Sequence, residues 1–125
     1  MHLAAHSDVI GGELRLEFDF KQKAVGTFNL LEFMRKKKLK NLIFSSTSAV
    51  YGEATIIPTP ENYGPCRPIF TYGATKLIDE ALIFAYSYYC DIKSTIFRFA
   101  NVVRKNSTQG VIFDFLICYT KTMNN

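Results

Sequence analysis

Tryptophan is absent from this 125-residue sequence, and cysteine is scarce, with three in all. Cys66, Cys90 and Cys118 are odd in number and widely spaced, without a C-x-x-C pair or a nearby histidine, which excludes a disulfide framework and a structural zinc set. No apolar run reaches the roughly 18 residues of a membrane span. Residues 1–8 lack the basic and apolar regions of a signal peptide, so the sequence reads as cytoplasmic. Repeats and low-complexity tracts are missing too, which leaves one unit of structure. What is present is a 48% hydrophobic, 14% aromatic composition, the balance of a folded domain. The net charge, 15 − 11 = +4, is gathered at Arg35, Lys36, Lys37, Lys38 and Lys40.

The order of elements follows from periodicity. Residues 13–20 alternate charged and apolar side chains, which taken alone is the pattern of a half-buried strand. Residues 22–38 carry Val25, Phe28, Leu31 and Met34 three apart, widened by Ala24 and Leu30, and predict a helix buried along that stripe. The basic cluster closes this helix, where cations complement the unpaired carbonyls. A nucleic-acid patch is the lesser reading, since no aromatic platforms interleave with the cations. Residues 41–44 read as a buried strand opening into the polar loop Ser45, Ser46, Thr47, Ser48. All four prolines fall in residues 55–68, an irregular excursion.

A second helix is expected over residues 72–89, burying Leu77, Ala81, Phe84 and Tyr88 beside Ile78, Leu82 and Ala85. Residues 94–99 form a second strand and residues 110–121 a shorter helix. Strands alternating with helices call for right-handed crossovers and a parallel sheet. The fold class is therefore α/β, with ligands expected outside the C-terminal ends of the strands.

Tyr72 and Lys76 stand four residues apart at the start of a helix, on one face. A cation beside a phenol favours the phenolate, so Lys76 is expected to poise Tyr72 for proton transfer near neutral pH. Thr47, just past a buried strand, adds a hydroxyl that can orient a substrate oxygen.

With these residues in place the sequence resembles the extended short-chain dehydrogenases/reductases, in particular NAD-dependent nucleotide-sugar epimerases of the UDP-glucose 4-epimerase type. The match runs in order through residues 2–5, 26–32, 43–52, 68–76 and 98–102. It implies a partial Rossmann-like doubly wound parallel sheet with flanking helices, forming the C-terminal half of a cofactor domain over residues 1–125, with no second domain. It also implies NAD as cofactor, taking a hydride from the sugar C4 and returning it to the opposite face of a keto intermediate. In that scheme Tyr72 is the acid/base, Lys76 holds the nicotinamide ribose, and Thr47 bonds the reacting sugar hydroxyl. Asn101 touches the nucleotide-sugar, while Ser45, Ser46 and the backbone of Ala4 and Ala5 line the cofactor. Satisfied polar groups at a strand end are an equally open reading of the two serines.

Dehydrating relatives carry an Asp-Glu pair directly after the threonine, and decarboxylating relatives a Glu just before the Val-Tyr-Gly turn. Here those positions are Ser48 and Ala49, which favours epimerisation over elimination. Two departures stand out: Lys23 where relatives have Asn near the cofactor, and Arg104 where they have Gly. The glycine-rich pyrophosphate turn is absent, since Gly11-Gly12 follows no strand. The resemblance thus implies a truncated or split epimerase that carries the chemistry residues without the cofactor grip, and whose open sheet edge favours self-association or a complementary N-terminal half. The competing expectation is a non-catalytic remnant acting as an interaction module through that edge. A serine hydrolase is remote, because His2 and His6 have no G-x-S-x-G elbow to serve.

Overall fold

A computed structural model describes residues 2, 17, 20–100, 102, 113, 115 and 117–120. A π-helical turn, Lys21–Val25, runs directly into helix α1, Gly26–Lys36. Strand β1, Asn41–Thr47, is followed by a 3-10 turn, Ser48–Tyr51, and an irregular excursion to residue 70. Helix α2, Thr71–Cys90, then leads into strand β2, Lys93–Phe99. The two strands pair in parallel from Asn41↔Lys93 to Thr47↔Phe99. On the other edge of β1, His2 forms a parallel bridge to Phe44. This is the α/β arrangement expected, with both helices packed against one face of the sheet. No described helix is long and apolar enough to cross a membrane.

The helix before β1 departs from the expected stripe. Ala24, Thr27, Leu31 and Met34 are buried, whereas Val25 and Phe28 are 38% and 44% exposed. A spacing of three drifts by roughly 60° per step on a helix of 3.6 residues per turn, so Val25 lies on the side opposite Met34. The π-helical turn, in which the Gly26 N–H donates to the Lys21 carbonyl, brings Lys23 inward with Ala24. Of residues 13–20, only Glu17 and Phe20 are described, and both are helical. At those two positions helix stands where the alternation suggested a strand, and Lys21 Nζ pairs with Glu17 Oε1 at 2.6 Å.

The basic cluster ends α1 as expected of helix-terminal cations. Lys37 caps it, Lys38 turns the chain at φ 55°, and Arg35 grips Glu32 from within the last turn. Lys40 reaches across to the other helix, donating to the final carbonyl of α2, Cys90 O, at 2.8 Å. Ser45 and Ser46 belong to β1 rather than to a loop, because ladder pairing with β2 continues through Thr47.

The apolar core lies toward the N-terminal ends of the strands, where Leu42, Phe44 and Ile92 meet Leu31, Met34 and Ile83. Helix α2 inverts the expected amphipathicity. Its buried face carries Gly73, Thr75, Lys76, Asp79, Glu80 and Ile83, while Phe84 and Tyr88, assigned to a buried ridge, are 59% and 85% exposed. Ala81 and Ala85 are exposed as well. The charged residues turn inward because they meet partners there: Glu80 finds Ser46 and Arg98, and Lys76 finds the Ser45 carbonyl.

Candidate active site

The residues singled out for chemistry meet at the C-terminal ends of the strands. Thr47, the last residue of β1, uses its Oγ1 to accept the Ala49 N–H at 3.2 Å, capping the 3-10 turn. Two glycines let the next segments close in. Gly52 sits at φ 66°, and a Cβ there would fall 1.9 Å from the Arg67 carbonyl oxygen. Gly73 brings the first turn of α2 against the same 3-10 turn, for a Cβ would come within 2.6 Å of the Ala49 carbonyl oxygen. Tyr72, beside Gly73, is thereby brought beside Thr47.

Two opposed influences act on Tyr72. Burial pushes the phenol above its ordinary value, and the hydrogen bond with Thr47 pulls it back. Lys76, one turn along α2, is 4% exposed; its Nζ donates to the Ser45 carbonyl at 2.8 Å and stands 4.6 Å from the Phe44 ring centroid. The expected depression of the phenol by Lys76 is therefore not what the geometry gives, since that amine is directed to β1. The cation over the Tyr72 ring is Lys23, whose Nζ stands 4.6 Å from the centroid. Burial also lowers the Lys76 ammonium, with Lys23 adding to the effect and Asp79 opposing it. Asp79, buried behind both amines, is pushed up to about 6 by burial despite a hydrogen bond from Thr27, and its Oδ1 has no partner among the described residues.

Beside this cluster lies a clamp. Arg98 on β2 forms a two-pronged pair with Glu80, Nη2 to Oε2 at 2.7 Å, and Ser46 Oγ donates to the same carboxylate. The guanidinium also bonds the Glu61 carbonyl at 3.3 Å and stacks 4.8 Å from the Tyr51 ring centroid. This pair, buried on its Glu80 side, thus ties β1, α2, β2, the 3-10 turn and the excursion together. It forms the floor of a groove of about 780 Å³ that includes Ser48, Tyr51, Phe84 and Phe99. Thr47, Tyr72 and Lys76 stand outside the groove lining.

Among the residues expected at the site, Thr47, Tyr72 and Lys76 are brought together. Ser46 points toward α2 and is bound to Glu80, whereas Ser45 meets Lys76 through its backbone. Ala4, Ala5 and Asn101 lie outside the described residues, as does Arg104. Periodicity missed Lys23, Asp79, Glu80 and Arg98 as members of this buried cluster. The signal was available on α2, because Lys76, Asp79, Glu80 and Ile83 follow the i, i+3, i+4, i+7 spacing of one helix face.

The described residues thus form a partial Rossmann-like α/β unit with a phenol, an amine and a hydroxyl at the strand ends. Residues 1–121 match the NAD dependent epimerase/dehydratase family, and the chain belongs to it. It is 35% identical to UDP-glucose 4-epimerase of Corynebacterium glutamicum over 82% of this chain and 31% of that protein. A solved structure of UDP-glucose 4-epimerase with UDP-glucose, from Thermotoga maritima, superposes with a TM-score of 0.81 at 34% identity, covering 91% of this chain and 38% of that one. The enzyme from Thermus thermophilus, solved as a complex with NAD, gives 0.72 at 32% identity, covering 78% and 32%. The chain spans about a third of the length of the curated relatives it matches.

Proposed function

We propose that this chain carries the proton-transfer part of an NAD-dependent 4-epimerase acting on a nucleotide-sugar. The observation that carries the reading is the meeting of Thr47, the last residue of β1, with the first turn of α2, which bears Tyr72 and, one turn on, Lys76, at the C-terminal ends of two parallel strands. Tyr72 takes the proton from the sugar C4 hydroxyl as the C4 hydride departs, then gives a proton back to the keto oxygen when the hydride returns to the opposite face. Thr47 orients that oxygen. NAD, when bound, accepts and returns the hydride. Neither Ser48 nor Ala49 supplies the second acid or base that elimination would need, so the reading favours simple oxidation and re-reduction.

The donor set fits one end of the cofactor. Lys76 has three N–H donors, one of them on the Ser45 carbonyl, and the others suit the hydroxyls of the nicotinamide ribose. Ala4 and Ala5 are assigned to the cofactor through their backbone and Asn101 to the nucleotide-sugar. No described residue suits the pyrophosphate. The reading assigns that group to a complementary segment with a glycine-rich turn, and Ile43, Phe97 and Phe99, partly exposed on the sheet face turned away from the helices, offer it apolar surface.

Complementation tests the reading. With a glycine-rich cofactor-binding segment supplied, the chain is expected to epimerise a UDP-sugar, and Tyr72→Phe to lose turnover by about 10²–10⁴-fold with NAD affinity changed less than about twofold. Equal loss of turnover and NAD binding contradicts the proposed role of Tyr72.

A further inference from the structure

Lys23 is among the largest fully buried side chains of the described residues, 1% exposed, and it belongs to none of the roles assigned above. Its position follows from the π-helical turn Lys21–Val25, which turns Lys23 and Ala24 together toward α2. Turns of this kind insert a residue into a helix and re-aim a side chain at the cost of poorer backbone hydrogen bonding. What the turn aims is an ammonium group, 4.6 Å from the centroid of the Tyr72 ring.

The charged surroundings are defined on every side. Lys76 and Asp79 on α2 both interact electrostatically with Lys23, Glu80 acts on Asp79 and Lys76, and His2 beside β1 faces Lys76. Lys76 is occupied at the Ser45 carbonyl, so the two amines divide the site: one is directed to the strand, the other to the phenol ring. A cation over an aromatic face is attracted to the ring electrons, and the attraction grows when the hydroxyl loses its proton and the ring becomes richer in charge. Desolvation strengthens such an interaction, because water does not screen it.

We propose that Lys23 is a positioning residue of this site, its ammonium held over the ring of Tyr72 so as to favour the phenolate that proton abstraction requires. The inference rests on the reading of Tyr72 as the acid/base, yet it is tested without turnover. In the 125-residue chain the Tyr72 titration is isolated as the difference in tyrosinate absorbance between the native sequence and Tyr72→Phe. Lys23→Met is expected to raise the midpoint of that difference by about one pH unit or more, whereas Lys23→Arg, which keeps the charge, changes it by less than about half as much. Circular dichroism confirms that each variant is folded. Should Lys23→Met not fold, Lys23→Gln keeps a polar group there and is read in the same way. An unchanged midpoint in the folded neutral variant, or equal shifts in the neutral and charged variants, overturns the proposal. Such a result leaves the acid/base role of Tyr72 intact, since that role stands or falls on the turnover of Tyr72→Phe.

Discussion

Beneath the two helices, the buried material changes from one end of the strands to the other. Toward their N-terminal ends Leu31, Met34, Leu42, Phe44, Ile83 and Ile92 form an apolar cluster. Toward their C-terminal ends the same helices bury Lys23, Thr27, Lys76, Asp79 and Glu80 against Ser46. The first end follows from the hydrophobic effect alone. The second costs desolvation for each charge and returns it only through partners, so packing does not account for it. Burial at one end supplies stability; at the other it holds the Lys23 ammonium over the Tyr72 ring and the Lys76 ammonium against the Ser45 carbonyl.

That comparison can be broken experimentally, beginning where the effect is largest. Phe44→Ala, at the heart of the apolar end, is expected to cost about 3–5 kcal/mol in denaturant unfolding. Near-native stability would mean that the apolar cluster does not hold the fold. At the charged end, Arg98→Met strands the Glu80 carboxylate and is expected to cost about 3 kcal/mol, while adding Glu80→Leu restores most of it. A double variant less stable than Arg98→Met would show that the pair itself stabilises the molecule. Gly73→Ala forces the first turn of α2 away from Ala49, with an expected cost of about 1–3 kcal/mol and loss of the Thr47–Tyr72 contact. Unchanged stability would mean that the close approach is not required.

A further effect is on pH dependence. The Asp79 carboxyl rises on folding from an ordinary 3.8 to about 6, so between those values the unfolded chain releases its proton before the folded one does. The Asp79 contribution to stability is therefore complete below pH 4 and is lost as pH rises to about 6. Asp79→Asn is expected to flatten unfolding free energy across that window, and an unaltered slope would place the titration elsewhere.

Much of this was legible in the sequence. The order of elements between residues 21 and 99 and the parallel pairing follow from local patterns, since strands, prolines and helix spacing leave direct marks. The orientation of α2 was not legible by the same means. Hydropathy periodicity assigns the apolar ridge of Phe84 and Tyr88 inward, but Glu80, bonded to Ser46 and Arg98, prevails, and those partners are 34 and 18 residues away. The π-helical turn was hidden for a related reason, because a search at 3.6 residues per turn cannot register a local change of period. Lys23 was visible as a departure from the family pattern, yet its place over Tyr72 emerges only once that turn is present.

The claim on which the rest depends is that Thr47 and Tyr72 act as one unit, and a double-mutant cycle on turnover of the complemented chain measures it directly. If they do, Thr47→Val combined with Tyr72→Phe is scarcely slower than Tyr72→Phe alone, because the hydroxyl at Thr47 serves a proton transfer that no longer occurs. Losses that multiply in the double variant would show two independent contributions and contradict the shared site.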